Sequence, residues 1–178
     1  MTILRLMIAA AALLVSTSAF AQSVGEKTGV NSAFGISPTT ADFVKEVALS
    51  DMTEMAAAQL GRDRGNAQEK AFSDQMITDH TKTSEDLKTM APADAKTVIP
   101  SALDSSSQSK IDKLRDAKPE DFSSDFDSMQ VSAHKDAVSL FERYAKGGED
   151  PKLKDWAGKT LPTLRHHLEM AQNLGKTK

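Results

Sequence analysis

The sequence predicts an all-α fold, a four-helix bundle with a long, partly helical connection between its second and third helices. Four segments repeat apolar residues at intervals of three and four, which is the period of a helix with one buried face. No segment shows the alternation of apolar and polar residues that is typical of a half-buried strand. Glycine and proline residues separate the four segments, so we expect each segment to form one helix.

The amino-terminal 39 residues precede the predicted bundle and fall into two parts. Residues 1–21 contain Arg5, a short apolar run and a final Ala-Phe-Ala, which is the pattern of a cleavable signal peptide. No later segment is long and apolar enough to cross a membrane. Residues 22–39 are rich in serine, glycine and threonine and predict a flexible tether. We therefore expect an exported, periplasmic protein whose domain covers residues 40–175.

The composition argues against several classes of function. A net charge of −3 is unlike the basic surface that a nucleic-acid partner needs. The absence of cysteine excludes disulfides and thiolate metal sites. The sequence also contains no serine or cysteine nucleophile motif and no glycine-rich phosphate loop. These observations favour a protein that is not an enzyme.

The first two predicted helices form a hairpin. The first covers residues 41–60, begins at a threonine cap, Thr39 or Thr40, and is expected to end before Gly61. The second covers residues 66–90. Their inward positions, spaced by three and four residues, are Phe43, Val47, Ser50, Glu54 and Ala57 in the first helix and Phe72, Met76, His80, Thr83, Leu87 and Met90 in the second.

The segment that follows is the least regular part of the chain. Residues 91–120 contain three prolines and a run of serines, and they hold too few apolar residues for a core of their own. We expect a long connection with one short helix over residues 108–117, in which Ile111 and Leu114 point inward.

The third predicted helix begins at Asp121 or Asp125 and ends at Lys146. The glycine pair Gly147-Gly148 is expected to end it in a left-handed conformation. Its inward side is expected to hold Phe126, Met129 or Gln130, Ala133, His134, Val138, Phe141 and Ala145.

The fourth predicted helix begins with Asp150 as the cap and Pro151 at the first helical position. Pro162 falls inside this helix and cannot donate to the carbonyl of Gly158, which predicts a kink or a brief break. The inward positions are Leu153, Ala157, Thr160, Leu164, His167, Ala171 and Leu174.

Four ionisable residues occupy positions that should otherwise be apolar. His80, His134 and His167 lie on the inward faces of three predicted helices, and Glu54 lies on the inward face of a fourth. A buried ionisable group is costly unless it is paired, neutral or bound to a metal. Imidazoles with one carboxylate suit Zn, Cu, Ni or Fe better than Ca or Mg. The pattern therefore predicts a transition-metal site with these four ligands.

The position of the two hairpin turns decides which of these residues meet. If both turns lie at the same end, the three histidines form a layer ~4–5 Å deep, with Glu54 ~9 Å below His80. If the connection runs back along the bundle, the turns lie at opposite ends. Glu54 then groups with His134 and His167, while His80 moves away. Either arrangement brings three of the four together.

A histidine that binds metal normally donates its second ring N–H to an acceptor. Asp79 is adjacent to His80 but is expected to point elsewhere, and Glu85 and Asp127 are alternatives that the pattern does not place. A di-iron carboxylate centre needs Glu-x-x-His pairs. The residues three positions before the three histidines are not glutamates, so a ferroxidase centre is not expected.

Several segments also carry a family resemblance. They are the neighbourhood of Glu54, Asp42-Phe43-Val44, Met76-Ile77-Thr78-Asp79-His80-Thr81, Phe126-Asp127, Val131-Ser132-Ala133-His134, and Leu161-Pro162-Thr163-Leu164-Arg165-His166-His167-Leu168. Through them the chain, from about residue 40 to residue 174, resembles DUF4142, a family of exported bacterial domains of unknown function that are classed as ferritin-like. The resemblance implies a ferritin-like four-helix bundle with the three histidines at motif positions. It implies no established activity.

Two functions are compatible with these expectations. The first is a periplasmic metal-binding protein that handles a transition metal or supports tolerance of envelope stress. The alternative is a metal-free structural or interaction module of the cell envelope, with an envelope protein or a second copy of the chain as its partner. Chelator dependence of stability discriminates between them, because only a metal-bound fold is stabilised by its ion.

Overall fold

The computed structural model describes residues 29–177, and in this part the chain is all-helical and contains no strand. The predicted signal peptide and the first residues of the predicted tether lie outside the described residues. None of the described helices is long and apolar enough to cross a membrane. In chain order the helices are α1 (Val30–Ala33), α2 (Thr40–Arg64), α3 (Ala67–Met90), α4 (Ala93–Lys96), α5 (Ser105–Asp116), α6 (Pro119–Gly147) and α7 (Pro151–Leu174), followed by a 3-10 turn, Gly175–Thr177.

Helix α2 begins as predicted and ends four residues later than predicted. The Thr39 side chain caps it by accepting from the backbone N–H of Asp42 at 3.1 Å. The helix then continues through Gly61, which is buried. A Cβ on Gly61 would clash with Ser73 Oγ and lie 2.7 Å from the Phe126 ring. The glycine therefore permits a close approach of three helices, and its interpretation as a turn residue was wrong.

The two hairpin turns use side-chain caps rather than left-handed glycines. Asn66 and Glu69 form a reciprocal capping box at the start of α3. Asp150 accepts from the backbone N–H of Leu153 at 2.8 Å at the start of α7, as predicted. Gly148 has φ −60° and ψ 145°, so the predicted left-handed ending of α6 is wrong. Helix α7 also continues through Pro162 without a break.

The connection between the hairpins is partly helical, as predicted, but its helix starts earlier than the pattern indicated. Asp104 caps α5 by accepting from Ser107 N at 2.8 Å. Ile111 and Leu114 are the buried residues of α5, in agreement with the sequence. Helix α5 therefore rests on the long helices through a narrow apolar edge.

Polar contacts at the two ends of the long helices establish their topology. Ser123, near the start of α6, donates to Glu69 at 3.1 Å, beside the turn between α2 and α3. At the other end of α6, Tyr144 Oη and Thr40 Oγ1 lie 2.8 Å apart, beside the start of α2. The two hairpin turns therefore lie at opposite ends, and the connection returns along the length of the long helices.

The described part of the predicted tether contacts the helices. Ser32 Oγ lies 2.9 Å from Ser139 Oγ, and Arg143 donates to the backbone oxygen of Ile36 at 2.7 Å. Asn31 is buried. Composition does not reveal these hydrogen bonds, which attach the described part of the predicted tether to α6.

The apolar core is divided into two clusters. One lies toward the start of α2 and contains residues such as Phe43, Leu87, Phe141 and Leu164, and the other lies toward the end of α2 and contains residues such as Ala57, Met76, Phe126 and Ala171. On each long helix a buried polar residue lies between a member of the first cluster and a member of the second. These residues, which include Glu54, His80, His134 and His167, form a polar layer between the two apolar halves of the molecule.

Candidate metal centre

Three histidines from three long helices meet in this polar layer. His80 lies on α3, His134 on α6 and His167 on α7, and each is at most 4% exposed. Their ring centroids are 5.5–5.8 Å apart. One ring nitrogen of each histidine lies within 4.8 Å of those of the other two. The structure therefore brings together the three histidines that the sequence singles out.

His80 is held by a buried carboxylate on α2. Its Nδ1 lies 2.8 Å from Asp51 Oδ1, and Ser84 donates to Asp51 Oδ2 at 3.0 Å. A carboxylate accepts hydrogen bonds, so Nδ1 of His80 carries the proton in this pair. The remaining nitrogen, Nε2, is buried and has no protein partner.

His134 is held by the backbone of its own helix. Its Nδ1 lies 2.9 Å from the carbonyl oxygen of Gln130, one turn earlier in α6. A carbonyl can only accept, so Nδ1 is again the donor and Nε2 carries the lone pair. Nε2 of His134 is also buried without a partner. Phe72 packs edge-on against this ring, with centroids 6.1 Å apart.

His167 uses the opposite nitrogen. Its Nε2 lies 2.8 Å from Asp79 Oδ2 on α3, and Gln75 donates to the same oxygen at 2.7 Å. The nitrogen without a protein partner is therefore Nδ1. Each of the three rings thus donates one N–H to a fixed acceptor and leaves its other nitrogen buried without a protein partner, which is the arrangement of metal-binding histidines.

The spacing of the three rings fits a first-row metal ion after a small adjustment. Three nitrogens at the corners of a triangle with 4.8 Å sides lie about 2.8 Å from its centre. A zinc–imidazole bond is about 2.0–2.1 Å, so each nitrogen has to move inward by roughly 0.7 Å or less.

Glu54 lies in the same layer but is not a member of the 4.8 Å group. Its side chain is 2% exposed, and both carboxylate oxygens lack a hydrogen-bond partner. The side-chain amide of Gln130 is also buried and is close enough to favour the charged form of Glu54, but the two groups make no hydrogen bond of normal geometry. Buried polar groups are normally satisfied, so this group of atoms has the chemistry of a ligand site.

The height of Glu54 relative to His80 differs from the sequence estimate. Because α2 extends to Arg64, the midpoint of the first hairpin lies between Gly65 and Asn66. Glu54 is then three residues, or about 4.5 Å, from the level of His80, half the predicted separation. The turns lie at opposite ends, and the expectation that His80 would then leave the group was wrong.

Burial and neighbouring charges set the protonation of the site. Burial lowers the pKa of His134 to about 4. Burial also lowers the pKa of His167, and the hydrogen bond to Asp79 opposes this only in part. Burial would lower the pKa of His80 as well, but the bond to Asp51 and its charge outweigh this effect and raise it. His134 and His167 are therefore neutral at pH 7 and have free lone pairs, while a proton competes with a metal at His80.

The carboxylates of the layer differ in their environment. Burial raises the pKa of Glu54 to about 7, so this group exchanges a proton near neutral pH. Burial also raises the pKa of Asp51, although the bond from His80 opposes it. The pKa of Asp79 is lowered, because hydrogen bonds from Gln75 and His167 outweigh the effect of partial burial.

The sequence did not identify the two carboxylates that orient the histidines. Asp79 was expected to point away from the site, but it faces α7 and binds His167. Asp51 was missed because the pattern on α2 was followed through Ser50. The spacing of Val47, Asp51, Glu54 and Ala58 is as regular, and it is the signal that places Asp51 inward.

The sequence matches the model of a known protein family over most of its length. The model of a domain of unknown function, DUF4142, matches residues 25–174, which include all of the layer described above. Comparisons with curated proteins and with solved structures gave no significant match. The chain belongs to the DUF4142 family.

Proposed function

We propose that this protein binds one divalent transition-metal ion through His80, His134 and His167. The observation that carries the proposal is the set of three buried ring nitrogens that lack protein partners on three converging imidazoles. Three neutral imidazoles provide nitrogen ligands, and Glu54 provides a carboxylate as a fourth ligand or as a neighbouring charge. Zn, Cu, Ni and Fe are the metals that suit this donor set.

The charge of the layer supports a divalent ion. Asp51 and Asp79 each accept a bond from a ligand histidine, and Glu54 adds a third carboxyl group that is buried. Even with a proton on His80, two or three negative charges beside the neutral rings of His134 and His167 are costly in a region of low dielectric constant. A divalent cation at the centre of the rings compensates most of this charge, whereas a monovalent ion leaves more of it uncompensated.

Isothermal titration calorimetry with Zn, Cu and Ni tests the proposal. The wild-type protein is compared with a triple variant, His80→Ala, His134→Ala and His167→Ala, and with His166→Ala as the matched control. His166 is exposed and adjacent to His167, so the control removes an imidazole without touching the layer. We expect one site per chain in the wild type and in the control, and none in the triple variant. Equal, weak binding by all three proteins would refute the proposal.

We further propose that the four long helices form a ferritin-like four-helix bundle in the bacterial periplasm, where the protein handles a transition metal or supports tolerance of envelope stress. The antiparallel long helices and the connection along their length support the bundle. The amino-terminal signal pattern supports export. The wild-type protein and the triple variant are each purified from the periplasmic fraction of the native cell and their metal content is measured by elemental analysis. Recovery from this fraction tests export, and the metal content tests which ion is bound.

A metal-free interaction module is the second candidate, and one surface feature favours it. Val30, Phe34 and Ile36 are large apolar residues that are 48%, 78% and 42% exposed. All three belong to the segment that contacts α6 through Ser32 and Ile36. If this module is the function, Phe34→Ser should abolish association with an envelope partner or a second copy, and the triple histidine variant should keep it. Sedimentation analysis of both variants with envelope extract provides the comparison.

A further inference from the structure

The layer contains two carboxylates that bind ligand histidines at the same distance, and their surroundings differ. Asp51 Oδ1 accepts from His80 and Asp79 Oδ2 accepts from His167, both at 2.8 Å. The side chain of Asp51 is 3% exposed, whereas that of Asp79 is 28% exposed. Asp79 is therefore the member of the two pairs that reaches solvent.

The hydrogen bonds of the two carboxylates differ as well. Both oxygens of Asp51 are occupied, one by His80 and the other by Ser84. Asp79 receives Gln75 and His167 on the same oxygen, Oδ2. Within residues 29–177, Oδ1 of Asp79 accepts no hydrogen bond, and no lysine or arginine forms an ion pair with Asp79. A negative charge with a free oxygen thus lies at the edge of the layer.

The three ring nitrogens themselves are closed to solvent. Each unpartnered nitrogen has less than 1 Å² of exposed surface. Two cavities of the described part, of about 210 and 300 Å³, have none of the three histidines in their walls. An ion can therefore reach the centre only if a side chain moves, and the pair of His167 and Asp79 is the part of the layer closest to solvent.

We propose that Asp79 captures the incoming divalent cation and positions His167 to receive it. This inference rests on the proposed function, because it describes how the ion reaches the three histidines. The cation first binds the free oxygen of Asp79, where water still completes its coordination. Rotation of the His167 ring then brings Nδ1 to the ion, and His80 and His134 replace the remaining waters. Asp51 positions His80 in the interior and has no part in capture.

Substitution of the two aspartates should have different effects on the rates of metal association and dissociation. Removal of the Asp79 charge slows association, because charge at an entry point accelerates the encounter with an ion of opposite sign. Loss of the carboxylate acceptor of either histidine weakens the bound state by about 10–100-fold. Asp51→Asn should therefore speed dissociation without slowing association, because loss of its charge also weakens the competing proton on His80, while Asp79→Asn should slow association and speed dissociation.

Stopped-flow absorbance with Co²⁺, followed by release into excess chelator, measures both rates on the full protein. We expect association to Asp79→Asn to be slower by about fivefold or more and to lose most of its salt dependence. Asp79→Glu, which keeps the charge and displaces the acceptor, should associate within about twofold of wild type and release faster. Asp51→Asn should associate no more slowly than wild type, because the His80 pKa falls in this variant, and should release about tenfold faster or more.

Asp74→Asn is the control for net charge, since Asp74 is exposed on the same helix and pairs with Arg62. It should leave both rates unchanged. The capture role would be overturned if Asp79→Asn bound Co²⁺ at the wild-type rate. It would also be overturned if Asp51→Asn slowed association as much as Asp79→Asn. Thermal melting of each metal-free variant identifies any that fail to fold, and Asp79→Glu then provides the test on its own, because slow association with the charge retained also contradicts capture. Absence of a tetrahedral Co²⁺ spectrum in the wild type would instead contradict the proposed function.

Discussion

Asp51 Oδ1 lies 2.8 Å from His80 Nδ1 in a part of the molecule where both side chains are at most 4% exposed. This pair joins α2 to α3 and fixes which nitrogen of His80 faces the other two histidines. Because the pair is closed to solvent, its effect on His80 is stronger than that of a surface ion pair.

Asp51→Asn should lower the pKa of His80, since the carboxylate is what holds that pKa above its ordinary value against the effect of burial. Titration of the His80 ring signals by NMR in the metal-free protein measures the change. His166, which is exposed, serves as the internal reference in the same spectra. A His80 pKa that stays raised in the variant would show that Asp51 is not its cause.

Acid should reveal opposing contributions from His134 and Glu54 to stability. The pKa of His134 is about 4 in the fold against an ordinary value of 6.5, so its contribution to stability is complete above pH 6.5 and is lost as pH falls toward 4. The pKa of Glu54 is about 7 in the fold against 4.5, so its contribution is complete below pH 4.5 and is lost as pH rises through 7. Each amounts to about 3 kcal/mol, and over most of this range the two oppose one another.

Glu54→Gln removes one side of this balance. Relative to wild type, its free energy of unfolding should rise by about 3 kcal/mol between pH 4.5 and 7. Urea unfolding of chelator-treated protein at several pH values measures the difference. The converse variant, His134→Gln, should lose stability relative to wild type over the same interval. Parallel curves for Glu54→Gln and wild type would contradict the raised pKa of Glu54.

Gly61→Ala should destabilise the protein although alanine is the better helix former. Its Cβ would clash with Ser73 Oγ and approach the Phe126 ring to 2.7 Å, so helices have to separate, at a cost of about 2 kcal/mol or more. Gly158→Ala is the matched control within α7, because the nearest atom to its Cβ lies at 3.9 Å. The control should gain about 0.5–1 kcal/mol. Denaturant unfolding of both variants measures the contrast, and equal effects would rule out the close approach as the reason for Gly61.

Arg64→Ala should release α5 while the long helices stay folded. The guanidinium donates to the backbone oxygens of Leu114, Arg115 and Ala117 at 2.6–3.0 Å, which are acceptors that the end of α5 leaves without helical donors. It also lies 4.4 Å above the Phe122 ring. Hydrogen exchange should show the α5 amides less protected by about 1–2 kcal/mol.

Arg62→Ala is the comparison for that experiment, because Arg62 is exposed and pairs only at the surface, with Asp74. Its α5 amides should exchange as in wild type. If the two variants give the same exchange pattern, the hydrogen bonds of Arg64 do not hold α5 in place.

The periodic pattern predicted the long helices and the inward placement of the three histidines, since burial of a stripe depends on spacing alone. The pattern did not identify residues whose type is required by a contact between helices. Gly61 has the same appearance in the sequence whether it ends a helix or lets Phe126 approach. The helical range of α2 therefore came out too short, and the error carried into the height of Glu54.

The ligand candidates were predictable, and their acceptors were not. A histidine in an apolar stripe stands out by its type, whereas Asp79 appears as one more acidic residue on the edge of a helix. Its role depends on the distance from α3 to α7, which local sequence does not encode. The opposite placement of the two turns is likewise a property of the long connection as a whole, and the contacts of Ser123 and Tyr144 at the two ends of α6 reveal it.

The three rings come unequally from the two hairpins. The hairpin of α2 and α3 supplies one of them, His80, and the hairpin of α6 and α7 supplies His134 and His167. An ion at their centre therefore cross-links the amino-terminal half of the chain to the carboxy-terminal half. If the backbone were cut between α4 and α5, the fragments would share the ligand set, and their reassembly would become metal-dependent.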